Sequence, residues 1–579
     1  MIMKFIRINM TEKTISEQPV PEKYKMLGNR AIVAHIAYDE ISPTCSPIGP
    51  NNKLIIASSP LETLGITCTG RISAGGKSPL TGGIKESSAG GLAAPCMAKH
   101  GIRAFIIDGK AADGKLHMIH VNKNGVEFLD AEHLRGKGTY ETTTTLLGKY
   151  GKKSAIISIG QAGEQLLHAS GIFVNDMDGD AERAAARGGL GAVMGSKGIK
   201  AIVIEGDGNF RTPVHDEEKF KEAKKALHEA ILASQSRDTL LKYGTMSAMM
   251  AIHALGGMPT KGFTAGTWEE KIDLVNVDKL KETILQRGGD GRTDHSCVPG
   301  CIIGCAKVLP DKNGKKLVAY EYEPGELFGP NLLIDDLDAI AELNLKCNDY
   351  GLDLIEIAVT LGVLCHLGIM NWGDSQKAKE LIDEVAKGTV LGKLIGSGVT
   401  TVGRVFGVEK IPAAKGQAFA AYDPRGIKSY AITFGTTPMG ADHTAGVTFR
   451  AEADHFSWQS AVELSRPAQV KSAFYDTYFC LFVVRCVGEN THLLRDLFNS
   501  IFGTTYQDAS FMQEIGKDVI KHERMFNIGA GVTEEWVPEF MREEPLAPHG
   551  RVCDVPESEF VRFWDEEFWG TFPPVPKRF

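Results

Sequence analysis

Residues 201–234 read AIVIEGDGNFRTPVHDEEKFKEAKKALHEAILAS, and the class of the fold turns on this stretch. Ala201-Ile-Val-Ile is a short β-branched run of the kind that forms a strand, and Pro213 closes the segment that follows it. From His215 to Ser234 the pattern changes: Phe220, Ala223, Leu227, Ala230 and Ile231 recur at helical spacing, with acids in the first turn where a helix dipole favours them. Strand texture therefore gives way to helix texture at one point in the chain.

Outward from that point, the N-terminal side repeats the strand signal in Ala31-Ile-Val-Ala, Lys53-Leu-Ile-Ile-Ala, Ala104-Phe-Ile-Ile and Ala155-Ile-Ile-Ser-Ile, each bounded by Gly, Pro or Lys. On the C-terminal side a second long helical pattern opens at Asp335-Asp336, breaks near Gly351 and resumes to about Leu367. Pro412 to Gly416 marks a further boundary. The expectation is an α+β protein with a β-rich N-terminal domain over 1–209 and two mainly α-helical domains over 210–412 and 413–579.

The chain's 579 residues exceed what a single core organises. Its net charge of −8, with no long basic run, argues against a nucleic-acid groove. No apolar stretch approaches the roughly 18 to 20 residues that span a bilayer, and Met1 to Asn9 is too short and too charged for a secretory signal, so a cytoplasmic location without membrane contact is expected. The 11 cysteines do not form a disulfide framework; three are grouped as Cys297-Val-Pro-Gly-Cys301-Ile-Ile-Gly-Cys305.

Three cysteines at four-residue spacing fit one face of a buried helix, a zinc site or an iron–sulfur cluster. Pro299, Gly300 and Gly304 suit a loop around a cluster better than a helix. A fourth thiolate would come from Cys480, Cys486, Cys347 or Cys365, and spacing does not choose among them.

The 64 glycines gather in two early blocks: Gly70-Arg-Ile-Ser-Ala-Gly-Gly-Lys-Ser-Pro-Leu-Thr-Gly-Gly with Glu86-Ser-Ser-Ala-Gly-Gly91, and Arg183-Ala-Ala-Ala-Arg-Gly-Gly-Leu-Gly-Ala-Val-Met-Gly-Ser-Lys197. Gly195-Ser196-Lys197 has the wrong order for a P-loop, and Gly189-Leu-Gly191 lacks the third glycine of a dinucleotide fold. What these blocks offer is backbone N–H groups with Arg71, Arg183 and Arg187, suited to bound phosphate, or else plain turns with surface arginines.

These blocks, together with Gly49-Pro-Asn-Asn-Lys-Leu-Ile, Ile334-Asp-Asp-Leu-Asp-Ala-Ile, Cys347-Asn-Asp-Tyr-Gly-Leu-Asp353, Tyr422-Asp-Pro-Arg-Gly426 and Gly440-Ala-Asp-His443, resemble the aldehyde:ferredoxin oxidoreductase family over nearly the whole chain. The resemblance implies a tungsten (or molybdenum) bis-pterin seated on the N-terminal β domain, its phosphates bridged by magnesium, beside a 4Fe-4S cluster. Arg71, Ser88, Gly90, Arg183, Ala184, Ala186 and Arg187 match positions that touch the pterins, as do Asn348, Leu352, Asp353, Met439, Ala445, Phe479 and Leu481 from the helical domains. Cys480 matches the ligand that completes Cys297, Cys301 and Cys305, while Glu323 and His443 match the active-site glutamate and histidine.

The implied reaction is oxidation of an aldehyde to a carboxylic acid, with electrons passed to ferredoxin or an iron–sulfur partner subunit. Three departures accompany the resemblance. The C-x3-C-x3-C spacing resembles more distant branches, for which a catalytic subunit acting on an aromatic acyl thioester is the alternative. Ser88 stands at a usual asparagine, and Asn348 and Tyr475 stand at usual aspartates, with Asp476 adjoining. Some members join subunits through iron held by a Glu-x-x-His pair; here Glu342 is followed by Leu345, so a homodimer would use another contact.

Overall fold

The computed structural model describes residues 3–577. Its N-terminal part holds two six-stranded sheets. The first runs in the order Thr14–Pro19, Lys4–Asn9, Ile102–Asp108, Leu54–Ser58, Ile72–Lys77, Ile84–Ala89, and the second in the order Arg183–Ala185, Ile172–Val174, Ala155–Ser158, Ile199–Ile204, His117–Asn122, Gly125–Asp130.

The alternation of side chains along each strand explains how the sheets stack. Ile56, Phe105 and Ile107 of the first sheet pack with Ile157, Ile172 and Ile202 of the second in one core. Their neighbours Ile55, Ala104 and Ile106 point to the opposite face, against Ile32, Val33 and Ile36. On the outer face of the second sheet, Ile156, Ala201 and Val203 meet Leu134 and Leu146. The four predicted runs beginning at Lys53, Ala104, Ala155 and Ala201 all contribute to these strands.

The run at Ala31 is corrected: it lies in the helix Asn29–Glu40, not in a strand. A short apolar run does not distinguish the two states, and here the spacing of Ile32, Val33, Ile36 and Ala37 allows a helical face to cover the first sheet. Packing overrides the β preference of Ile and Val.

The stretch at 215–234 forms the helix Glu217–Leu232, whose Asp216 caps it by accepting the Lys219 N–H. The second pattern forms Leu337–Tyr350 and Leu354–His366, separated by Gly351 at φ +76, a left-handed conformation that glycine adopts without steric cost. The largest hydrophobic core draws on Ile340, Leu343, Ile357 and Leu361 before Pro412 and on Tyr430, Phe434, Ala473 and Trp569 after it. Pro412–Gly416 leads into a short hairpin, Ala413–Ala414 paired with Gln417–Ala418. A separate core joins Phe220 and Leu227 to Phe474, Tyr478, Phe498 and Phe511. Among the described residues no helix is long and apolar enough to cross a membrane.

Candidate active site

Cys297, Cys301 and Cys305 lie on the loop between the strands Arg292–His295 and Ala306–Pro310. Gly300 at φ +72 and Gly304 at φ +61 turn this loop twice through left-handed backbone, so the reading of three cysteines on one helix face is excluded. Cys480 arrives from the other half of the chain, two residues beyond the end of the helix Ala461–Tyr478.

Cys68 joins them. The Cys480 N–H donates to the Cys68 carbonyl at 2.7 Å, and Cys68 Sγ lies 3.6 Å from Cys301 Sγ. Thr67 Oγ1 donates to the Gly300 carbonyl at 3.0 Å and accepts the Ile302 N–H at 3.1 Å, which fastens the loop to this segment. The thiols of Cys297, Cys301, Cys305 and Cys480 are close enough to act electrostatically on one another and on Arg71. Burial pushes Cys480 up to about 12, Arg71 opposing it. Cys347 and Cys365 are packed within helices of the largest core, whereas Cys486 belongs to the core that Cys301, Cys305 and Cys480 also pack against.

The glycine-rich blocks form a floor beside these thiols. Arg71 precedes the strand Ile72–Lys77, which pairs with Ile84–Ala89 so that Ser73 faces Ser88. Arg71 donates from Nε to Ser88 Oγ at 2.8 Å and from Nη2 to the Ser88 carbonyl at 3.1 Å. At Gly90 an added Cβ would stand 3.3 Å from both the sulfur and the carbonyl of Cys297, so the cysteine loop rests on this glycine.

Arg183 and Ala184 lie on the strand Arg183–Ala185, followed by Ala186. Arg183 is buried, and its Nε and Nη2 have no hydrogen-bond partner among the described residues. Its nearest carboxylates, Asp176 and Glu321, stay 3.7 Å and 3.9 Å away. Arg187, by contrast, is spent on the protein: Asp353 Oδ2 at 3.3 Å and the carbonyls of Ala441 and Ala418, each at 2.6 Å. It clamps the β floor to the helical lid.

The lid residues fall at the ends of elements. Asn348, Leu352 and Asp353 surround the break at Gly351, where Asp353 caps the next helix by accepting the Ile355 N–H. Met439 Sδ accepts the Glu86 N–H at 3.2 Å, Ala445 closes the turn His443–Ala445, and Phe479 and Leu481 flank Cys480. A cavity of about 330 Å³ is lined by Val447, Thr448, Leu481 and Arg485. A larger hollow of about 860 Å³, between Thr533 and Val561, contains none of the candidate residues.

Glu323 stands in the short helix Tyr322–Leu327 and accepts the Ala421 N–H at 3.0 Å through Oε2. Its Oε1 lies 3.3 Å from His443 Nε2. Tyr422 stacks on the His443 ring at 5.3 Å, and Asp442 begins the turn that carries His443 while accepting from Lys85 Nζ at 2.7 Å. Burial raises the Glu323 carboxyl above its ordinary range against the opposing influence of His443. The acidic run containing Glu321, Glu323 and Glu326 is not a solvated face, since Glu326 is fully buried.

A family model for the aldehyde ferredoxin oxidoreductase N-terminal domain matches residues 5–206, and one for domains 2 and 3 of the same family matches 222–566. This chain belongs to the aldehyde ferredoxin oxidoreductase family. It is 29% identical to the tungsten-containing aldehyde ferredoxin oxidoreductase of Pyrococcus furiosus, covering 94% of this chain and 92% of that protein. The WOR-like subunit of an aliphatic sulfonate oxidoreductase from the same organism is 25% identical over 92% of this chain and 87% of its own length. The active-site complex BamBC of benzoyl coenzyme A reductase shares the fold, with a TM-score of 0.78 at 17% identity over 98% of this chain and 93% of that one.

For a member of the aldehyde ferredoxin oxidoreductase family, the test is whether these residues fit a phosphate-bearing pterin metal centre and a cluster. They do. A buried guanidinium with two nitrogens that make no hydrogen bond to any described residue has room for an anionic acceptor, and Arg183 is such a group. Four thiols gathered about Arg71 form a soft donor set suited to iron and sulfide.

Several residues of this site escaped the sequence reading. Arg30 holds Glu523 through two bonds of 2.9 Å and approaches Asp476 at 3.3 Å. Burial pushes Asp476 up to about 6. Asp476 was legible only as the neighbour of Tyr475, and Lys85 and Cys68 only as residues in or beside glycine blocks. Nothing in local spacing marks Arg30.

Proposed function

We propose that this chain is a tungsten (or molybdenum) bis-pterin oxidoreductase that oxidises an aldehyde to the carboxylic acid and passes the electrons to ferredoxin or an iron–sulfur partner. The observation that carries the reading is the 3.3 Å approach of His443 Nε2 to Glu323 Oε1, a carboxyl raised by burial.

In this reading Arg71, Ser88, Gly90, Arg183, Ala184 and Ala186 would hold the pterins, with magnesium at their phosphates. Asn348, Leu352, Asp353, Met439, Ala445, Phe479 and Leu481 close over them, and Arg187 clamps floor to lid. Cys297, Cys301, Cys305 and Cys480 would hold the 4Fe-4S cluster. When bound, the metal supplies two-electron redox chemistry and the cluster a one-electron outlet.

The chain's own work is positioning and proton movement. Glu323, its proton affinity raised by burial, takes the proton of the water that adds to the substrate carbonyl. The Ala421 N–H fixes the other carboxylate oxygen, so Oε1 alone turns to the reacting side. His443 shares that proton through Nε2, and its Nδ1, unpartnered among the described residues, is left to donate to the carbonyl oxygen. Stacking on Tyr422 keeps the imidazole in plane for both contacts.

Anaerobically purified protein, analysed for tungsten, molybdenum, iron and pterin and assayed with an aldehyde panel and a viologen dye, tests this. A sample replete in metal and cluster yet inert to every aldehyde removes the reading. The C-x3-C-x3-C loop favours a second one, a catalytic subunit acting on an aromatic acyl thioester within a larger complex, as in the benzoyl coenzyme A reductase assembly whose fold it shares. Co-purification with electron-carrying subunits and activity on the thioester distinguishes the two.

A further inference from the structure

Away from the cysteine loop, three side chains bearing metal-ligating atoms meet where the helix Asn29–Glu40 packs on the helix Ser510–Ala530. They are His35, Asp518 and His522, and one ligand atom from each lies within 4.8 Å of the other two. Asp518 and His522 stand four residues apart, on one face of their helix; His35 comes from the other helix.

Both imidazoles approach the one carboxylate, His522 Nδ1 standing 3.4 Å from Asp518 Oδ1. His35 Nε2 approaches Asp518 Oδ2 to 2.9 Å, yet this nitrogen is not aligned as a hydrogen bond and has no hydrogen-bond partner among the described residues. His522 Nδ1 donates to the Asp518 carbonyl at 2.8 Å. That bond fixes the proton on Nδ1 and leaves the Nε2 lone pair free, the arrangement that orients a metal-binding histidine. The two rings are 4.3 Å apart, and Tyr38 packs edge-on against His522 at 4.7 Å. All three residues are partly exposed, while His35 Nε2 itself is turned inward.

We propose that His35, Asp518 and His522 form a binding site for a divalent ion of the zinc class, with solvent water as the fourth ligand. Two imidazoles and one carboxylate suit zinc, cobalt or nickel, whereas magnesium and calcium select all-oxygen sites. The ion would staple two elements that the active site depends on. One helix backs the sheet that carries Ser88, and the other packs on the helix leading to Asp476 and Cys480; Arg30 and Glu523 already join the same pair.

A second group, Asp176, Asp178 and His295, has similar spacing but not the same need. There Lys316 Nζ sits 3.2 Å from Asp176, 3.4 Å from Asp178, 2.7 Å from Asp180 and 3.0 Å from Glu182, so an ammonium already fills the centre.

The test uses the anaerobically purified holoenzyme, stripped of loosely held metal, incubated with two equivalents of zinc and gel-filtered. Wild type is expected to retain about one added zinc per chain and to melt a few degrees higher, while H35Q and H522Q each retain less than about a tenth as much with iron and pterin content unchanged. D178N, at the competing group, should retain zinc as wild type does. Zinc-edge X-ray absorption should show imidazole and oxygen neighbours. No retained zinc in wild type, retention in either histidine variant equal to that of wild type, or sulfur neighbours that place the ion on the cysteine loop would each overturn the proposal and leave the reading of the active site standing.

Discussion

Cys68 Sγ lies 3.6 Å from Cys301 Sγ, and the carbonyl of the same Cys68 receives the N–H of Cys480 at 2.7 Å. One residue thus touches both a loop cysteine and the cysteine that arrives from the far half of the chain. Cys68 is buried and holds φ +63, a left-handed conformation that costs a non-glycine residue on the order of 1–3 kcal/mol and that the surrounding contacts must sustain. With a cluster on Cys301, the Cys68 S–H becomes a donor to a ligand sulfur. Hydrogen bonds to ligand sulfurs stabilise the more negative, reduced cluster, so Cys68→Ala should lower its reduction potential by up to roughly 40 mV, the equivalent of about 1 kcal/mol. A dye-mediated EPR titration showing no shift, with iron content intact, refutes this.

On the proposed function, Glu323→Gln keeps the shape of the pair with His443 and removes the proton acceptor. Turnover should fall roughly 100- to 10,000-fold with metal and pterin content unchanged. Because burial raises the carboxyl, wild-type activity should climb with pH as Glu323 loses its proton, and the variant should lose that limb. A variant with the wild-type pH profile would show that another group takes the proton.

Arg183 offers an anion two buried nitrogens that make no hydrogen bond among the described residues. Arg183→Ala removes charge-assisted bonds worth about 1.5–3 kcal/mol, so retention of the pterin should weaken by roughly 10- to 100-fold. Pterin fluorescence after oxidation, read against iron content, checks this. Full pterin content after extended dialysis counts against the assignment.

Glu356, fully buried, accepts the N–H groups of Val399 at 2.8 Å and Ala418 at 2.9 Å, and burial, then Asp353, push its carboxyl up to about 7. Its folded value exceeds the unfolded one of about 4.3, so the stability gained from holding the proton is fully present below that pH and is lost as pH rises through about 7. The loss amounts to on the order of 3 kcal/mol. Glu356→Gln should impose a constant penalty of about 1–3 kcal/mol, because its amide faces a backbone donor, while flattening the pH dependence. Melting temperatures of both proteins from pH 5 to pH 8 should therefore converge as pH rises; parallel curves exclude the effect.

Local patterns sufficed for the order of the fold. The alternation in Ile55-Ile56 and Ile106-Ile107 separates two faces of one sheet, and the spacing from Phe220 to Ile231 lays one stripe along a helix, because both depend only on residues close in the chain. Ala31–Ala34 defeated the same approach, since whether four apolar residues run extended or coiled is settled by the surface they must cover. The candidate site was legible where a motif concentrates it: Cys297, Cys301 and Cys305 in one loop, Arg183 in one block, His443 beside Asp442.

What only the tertiary structure decided are the encounters between distant segments. The 3.3 Å approach of Glu323 to His443, the meeting of Cys68, Cys301 and Cys480, and the grip of Arg30 on Glu523 each join residues whose neighbours in sequence say nothing of the partner. The sequence by itself determined which residue types and turns were available. Burial and long-range packing decided which of them share a solvent-poor interior, and only there do a carboxyl, a guanidinium and a thiol depart from their ordinary behaviour.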